Sequence, residues 1–181
     1  MRSLSSLRMT EYFAGLTVRF SFGFSVSPAF TFLMKWIGID PGKSGAIAVL
    51  DDDEMRAETA VFDIERYRSI LGEAATGDAF AVVEHVGAMP KQGVSSTFAF
   101  GMNFGIIQGM LTAFGIPFEL VRPQKWKREF SCTSDKNRSI EVAQRMFPDV
   151  SLMRTERCTK PHDGIAEALL MAEYGRRRHA K

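Results

Sequence analysis

Asp40, Glu84, Asp163 and Glu167 are the side chains whose setting implies chemistry. Asp40 ends the apolar run Trp36-Ile37-Gly38-Ile39, and Glu84 ends a second run, Ala79-Phe80-Ala81-Val82-Val83. Short apolar runs bounded by Gly and Pro read as buried strands. An acid at the end of such a strand is costly unless it is paired or holds a cation. Asp163 and Glu167 stand one helical turn apart, so a helix would carry both on one face. Four clustered carboxylates repel one another unless divalent cations intervene, and their hard oxygens suit Mg²⁺ or Mn²⁺. Two such ions about 4 Å apart activate a water and stabilise the leaving oxygen of a phosphodiester. Taken singly, each acid is better explained as a solvated or ion-paired surface group. What gives the set weight is its company. Lys91, Lys125, Lys127, Arg128, Lys136 and Arg138 form basic segments suited to phosphate contacts, the plain alternative being a solvated basic face.

The elements that must position these groups follow from patterning. Pro41-Gly42 breaks the first strand and Gly45 lets the chain reverse into Ala46-Ile47-Ala48-Val49-Leu50, which predicts a hairpin. Residues 51–54 read as a solvated acidic turn and residues 57–62 as a third strand. Ile64, Tyr67, Ile70 and Leu71 fall at helical spacing, with Gly77 as the stop, and the strand ending in Glu84 follows. Ser95 or Ser96 caps a long helix over residues 97–114. Phe100, Phe104, Ile107 and Leu111 form one face of it, while Gly101, Gly105 and Gly109 open another to close packing. Gly115 closes that helix before a fifth strand over residues 116–121. Three basic residues then surround Trp126, which reads as exposed. Ser134 or Asp135 caps a helix that Pro148 stops, and Pro161 suits the first turn of a last helix over residues 162–178. Its apolar stripe is Ile165, Ala168, Leu169 and Ala172. This order predicts an α/β domain, a mixed five-stranded sheet with helices on both faces.

Composition bounds the rest. The chain has 181 residues, close to half of them apolar, which is enough to bury a core without staples. A net charge of +2 points to no polyanion partner by itself. Two cysteines make no disulfide framework, so a reducing compartment is expected, and Cys158 with His162 does not close a zinc site. Residues 1–33 are rich in Ser, Phe and Arg, and Glu11 is their only acid. They read as a loose or over-extended start ahead of a domain spanning residues 34–178, with organellar targeting as the second reading. Pro28 interrupts their short apolar run, so no membrane span is expected.

Three stretches together resemble the RuvC family of Holliday junction resolvases. They are Ile37-Gly38-Ile39-Asp40-Pro41-Gly42 with Gly45, then Val82-Val83-Glu84, then His162-Asp163-Gly164-Ile165-Ala166-Glu167-Ala168-Leu169. The resemblance runs from Met34 to about Arg177. It implies an RNase H-like fold and a homodimer that cuts branched DNA with Mg²⁺ or Mn²⁺ in the cytoplasm of a bacterial or phage-infected cell. Carried over, Asp40, Glu84, Asp163 and Glu167 become metal ligands. Lys127 and Lys136 become the lysines near the scissile phosphate, and His162 an outer-sphere group or proton carrier. The sequence departs from the family in two places. Gly87, Ala88 and Met89 stand where bacterial resolvases carry an aromatic wedge, which passes junction opening to Met89 or to a loop-end aromatic such as Phe98. The final acid, Glu167, is Glu rather than the more usual Asp.

Two rival readings are weaker. Gly42-Lys43-Ser44 matches the end of a phosphate-binding P-loop, but Ile37 stands where its first Gly belongs and a strand follows the Lys. Sugar kinases and actin-like ATPases share Asp-x-Gly hairpins but need a second large domain. A non-catalytic junction-binding module, or an RNase H-like nuclease acting on forks or RNA, remains the alternative. For a dimer, the Gly101, Gly105 and Gly109 face is one interface candidate, with core packing as its competitor.

Overall fold

The computed structural model describes residues 34–42, 44–51, 57–85, 87 and 93–180. The expectations for residues 1–33, most of the acidic turn, Ala88, Met89 and Lys91 lie outside the described residues. Five strands form one sheet: β1 (Lys35–Ile39), β2 (Ala46–Asp51), β3 (Ala57–Val61), β4 (Ala79–Glu84) and β5 (Phe118–Val121). Their spatial order is β3-β2-β1-β4-β5. The β1–β2 and β2–β3 pairs are antiparallel, as consecutive hairpins must be. β4 and β5 join parallel to β1 and to each other, each after a helical crossover.

Alternation along the strands divides the core in two. Ile37, Ile39, Ile47, Val49, Ala81 and Val83 face helices α1 (Ile64–Ala74) and α2 (Val94–Ala113). Trp36, Ala46, Ala48, Leu50 and Val82 face α5 (Asp163–His179), together with α3 (Pro123–Glu129) and α4 (Lys136–Met146). The predicted mixed sheet with helices on both faces is present. Among the described residues, no helix is long and apolar enough to cross a membrane.

Several local expectations change. α2 starts at Gly93, which offers no side-chain cap, so neither Ser95 nor Ser96 caps it. Gly77 does not terminate α1; Ala75, in right-handed helical conformation, caps it. Gly115 does adopt the left-handed conformation, at φ 68°, just after α2. Pro161 does not enter the first turn of α5: it precedes the cap, His162, whose Nδ1 accepts from the Ile165 amide.

The largest correction concerns α5. The sequence shows one apolar stripe, yet every residue from Gly164 to Gly175 is buried. The helix lies on the sheet and is itself covered by α3 and α4, so beyond Asp163 no side of it up to Gly175 is left open. The fit on the sheet is tight at Gly38, where an added Cβ would sit 2.0 Å from the Ala168 carbonyl oxygen and 2.4 Å from the Ala172 nitrogen. Glycine there is what lets α5 lie directly on β1.

Candidate active site

Strand register brings the first two acids together. Ile39 pairs with Val83 across the parallel β1–β4 ladder. Asp40 and Glu84, the next residue on each strand, therefore end adjacent strands at the same edge. In open α/β sheets this carboxyl-end edge is where sites form. The first two turns of α5 supply Asp163 and Glu167 to the same edge, and the charges of both reach Asp40. The four predicted acids thus form one electrostatically coupled cluster.

Each is held differently. Asp40 Oδ1 accepts the Gly42 amide at 2.9 Å, so the turn after β1 fixes its direction. Glu84 is buried, and its Oε1 accepts Trp126 Nε1–H at 2.9 Å. Glu167 is also buried, with Oε1 accepting from Lys127 Nζ at 2.6 Å and from Ser139 Oγ at 3.2 Å. Asp163, half-buried, pairs with Lys136 Nζ.

Burial is the main cause that pushes Asp40 up to about 6. The Gly42 amide opposes it, the charges of Glu167 and Asp163 add to it, and Lys136 opposes it. Burial likewise raises Glu84 to about 7, reinforced by Asp40 and opposed by Trp126 and Lys127. Asp163 behaves in the opposite sense: burial would raise it, but the Lys136 hydrogen bond and charge hold it below the usual carboxylate range. Two acids thus have a lysine each, and two pay for burial without one.

That imbalance defines what the site can accept. Its donors are all carboxylate oxygens, the set that hard divalent cations prefer. Among the described residues no three acids converge at coordination distance. Lys127 and Lys136 instead supply the positive charge that such an ion would bring. In donor type and in unmet negative charge, the residues fit a divalent cation.

The basic residues divide. Lys127 and Lys136 reach the acids. Arg128 lines an open hollow beside them, with Gln124, Ser131, Thr133 and Ser134. Lys125 turns away, its ammonium 5.8 Å from the Tyr174 ring centroid, two turns along α5 from Glu167. Arg138 is paired with Glu141 at 3.0 Å. His162 spends its Nδ1 on the helix cap, and Cys158 Sγ meets Thr155 Oγ1 at 3.2 Å rather than His162.

Trp126, read as exposed from its lysine neighbours, is wholly buried. Pro123 at the first turn of α3 was the available signal, because a helix places Trp126 on the inner face and the flanking lysines outside. Ser139, one turn into α4 from its Asp135 cap, carried no sequence signal beyond that position.

No protein-family model and no curated protein sequence matches the chain. Solved structures do. Thermus thermophilus RuvC in complex with a Holliday junction substrate is similar at TM-score 0.51 and 14% identity, over 82% of this chain and 96% of that one. A second Thermus thermophilus RuvC structure is similar at TM-score 0.50 and 15% identity, over 81% and 96%. With the strand order, the helices on both faces and the near-complete coverage of those chains, the architecture is a RuvC-like resolvase fold of the RNase H type.

Proposed function

We propose that the protein is a divalent-metal-dependent endonuclease for branched DNA, four-way junctions first among its substrates. The observation that carries this reading is that Asp40, Glu84, Asp163 and Glu167 lie within electrostatic reach of one another at one sheet edge, two of them raised mainly by burial. These four residues would hold Mg²⁺ or Mn²⁺. Two ions bound there would supply an activated water and charge stabilisation for the departing 3′-oxygen in an in-line phosphodiester displacement.

The chain's own residues do the rest. Trp126 pins Glu84 from beneath, and the Gly42 amide orients Asp40, so neither carboxylate has to be ordered when substrate arrives. Lys127 and Lys136 hold Glu167 and Asp163 until positive charge enters the site, and are then free to turn to a phosphate. Arg128 with the Ser131, Thr133 and Ser134 hydroxyls offers donors along the adjoining hollow, where a backbone strand would run. Paired nicks across a junction require two sites, hence a homodimer. An added Cβ at Gly101, Gly105 or Gly109 meets nothing within 4 Å, so these glycines are not used for packing within the protomer. With exposed Phe98 and Met102 on the same helix, this face suits a second copy.

One observation favours a second reading. Lysine-neutralised Glu167 and Asp163 are also what a junction-binding module without catalysis would keep. Incubating the purified protein with a synthetic four-way junction and Mg²⁺ separates the two. Cleavage that Asp40→Asn abolishes while junction binding survives is the expected result; salt-sensitive binding with no cleavage gives the module.

A further inference from the structure

Tyr67 is wholly buried in the first turn of α1, and its hydroxyl finds no hydrogen-bond partner among the described residues. Phenylalanine would fill the same space without stranding a polar group. The position of that hydroxyl suggests why tyrosine is there. The turn after β1 is wound tightly on Asp40. The Asp40 amide donates to the Ala46 carbonyl at 2.9 Å and the Gly45 amide to the Gly42 carbonyl at 2.8 Å. An added Cβ at Gly45 would meet the Asp40 carbonyl oxygen at 2.0 Å. The Gly45 carbonyl in turn accepts the Phe62 amide at 2.9 Å, and the Phe62 ring packs edge-on against Tyr67, centroids 5.2 Å apart. Tyr67 also shares its apolar cluster with Ile39 and Ile47, the residues on either side of this turn. The phenol therefore lies under the turn that carries Asp40. Burial first, and then the Asp40 charge, push its ionisation well up, so it keeps its proton as a donor.

A buried donor without an acceptor and a half-buried carboxylate short of positive charge are complementary. We propose that Tyr67 is a positioning residue for Asp40, its hydroxyl hydrogen-bonding that carboxylate, directly or across one water, when Asp40 holds a divalent cation. Groups behind a metal ligand fix its orientation and basicity, and losing one typically weakens metal affinity about 10- to 100-fold. The assignment rests on the metal-site reading of Asp40 given above.

The test is Tyr67→Phe in the full chain, read by calorimetric titration with Mn²⁺ and by melting with and without the ion. The variant should melt without metal at or above the wild-type temperature, since it loses only a stranded hydroxyl. It should then require about 10-fold more Mn²⁺ for half-saturation. Equal Mn²⁺ midpoints in variant and wild type overturn the role of Tyr67 and leave the nuclease reading standing. A wild type that takes up no Mn²⁺ overturns both. A variant that melts far below wild type without metal makes the hydroxyl a structural group and also overturns the proposal.

Discussion

Trp126 and Lys127 are consecutive residues of α3 that serve two different acids. The indole reaches inward to Glu84 and the ammonium reaches across to Glu167. One short helix therefore ties a strand-end carboxylate to a helical one. Little of this is legible in the sequence, where an aromatic among lysines looks solvated; the burial comes from tertiary packing against Val82 and α5. The acids themselves were legible, because an acid terminating an apolar run is a local anomaly. Their mutual cost gives a prediction at this scale. Asp40 is a half-buried carboxylate facing two others, so a neutral isostere relieves repulsion and desolvation together. Asp40→Asn should raise the melting temperature of the metal-free protein even as it abolishes cutting, the pattern of a site that trades stability for function. Scanning calorimetry without metal checks it; an unchanged or lower melting temperature would contradict the electrostatic account.

At the scale of elements, α5 carries both the core and half of the acids. Its helical period was readable from Ile165, Ala168, Leu169 and Ala172, but its burial on all sides was not. Gly164, Ala166 and Gly175 look neutral in sequence, and Leu170, Met171 and Tyr174 lie off the stripe, yet all are buried in the fold. The contact at Gly38 allows no accommodation, because the atoms an added Cβ would meet are α5 backbone. Gly38→Ala should cost about 3 kcal/mol, the upper end for overpacking, and should depress cleavage in whatever fraction folds by shifting Asp163 and Glu167. Urea denaturation with a junction-cleavage assay on the same preparation tests both parts.

Farther along α5, burial would raise Glu173. Hydrogen bonds from Arg176 and Arg177, both at 2.7 Å, outweigh it and hold the carboxyl below the ordinary glutamate range. A depressed folded-state pKa means the folded protein binds the proton less tightly than the unfolded chain. Its stabilising contribution is thus fully present above the ordinary glutamate pKa and is lost as pH falls through the folded value. Glu173→Gln should flatten that acid limb of the stability profile while leaving the profile near neutrality parallel to wild type.

For the whole molecule, the alternation of strands and helices was enough to predict the sheet and its two covered faces, since apolar period and turn residues agreed throughout. The role of α2 was not decidable that way. Twenty residues without a charge suit a core helix and an interface equally, and only the fold shows that Ile107 and Leu111 are buried while Phe98 and Met102 stand exposed. If that outer face joins two copies, placing charge there should separate them. The double variant Phe98→Glu, Met102→Glu should sediment as a monomer and nick one strand of a junction without the paired second cut, with the fold unchanged by circular dichroism. A wild type that sediments as a monomer at assay concentration would remove this interface and the paired-cut expectation with it.

The parallel register that sets Asp40 beside Glu84 also orders events in time. Joining β4 to β1 requires the whole hairpin, β3 and α1 to be traversed first, and α5, which packs on one face of the sheet, is the last of the described elements to be synthesised. Contacts so distant along the chain form late and together. A growing polypeptide therefore lacks the full set of carboxylates until α5 emerges. Asp163 and Glu167 thus join Asp40 and Glu84 only once α5 has emerged.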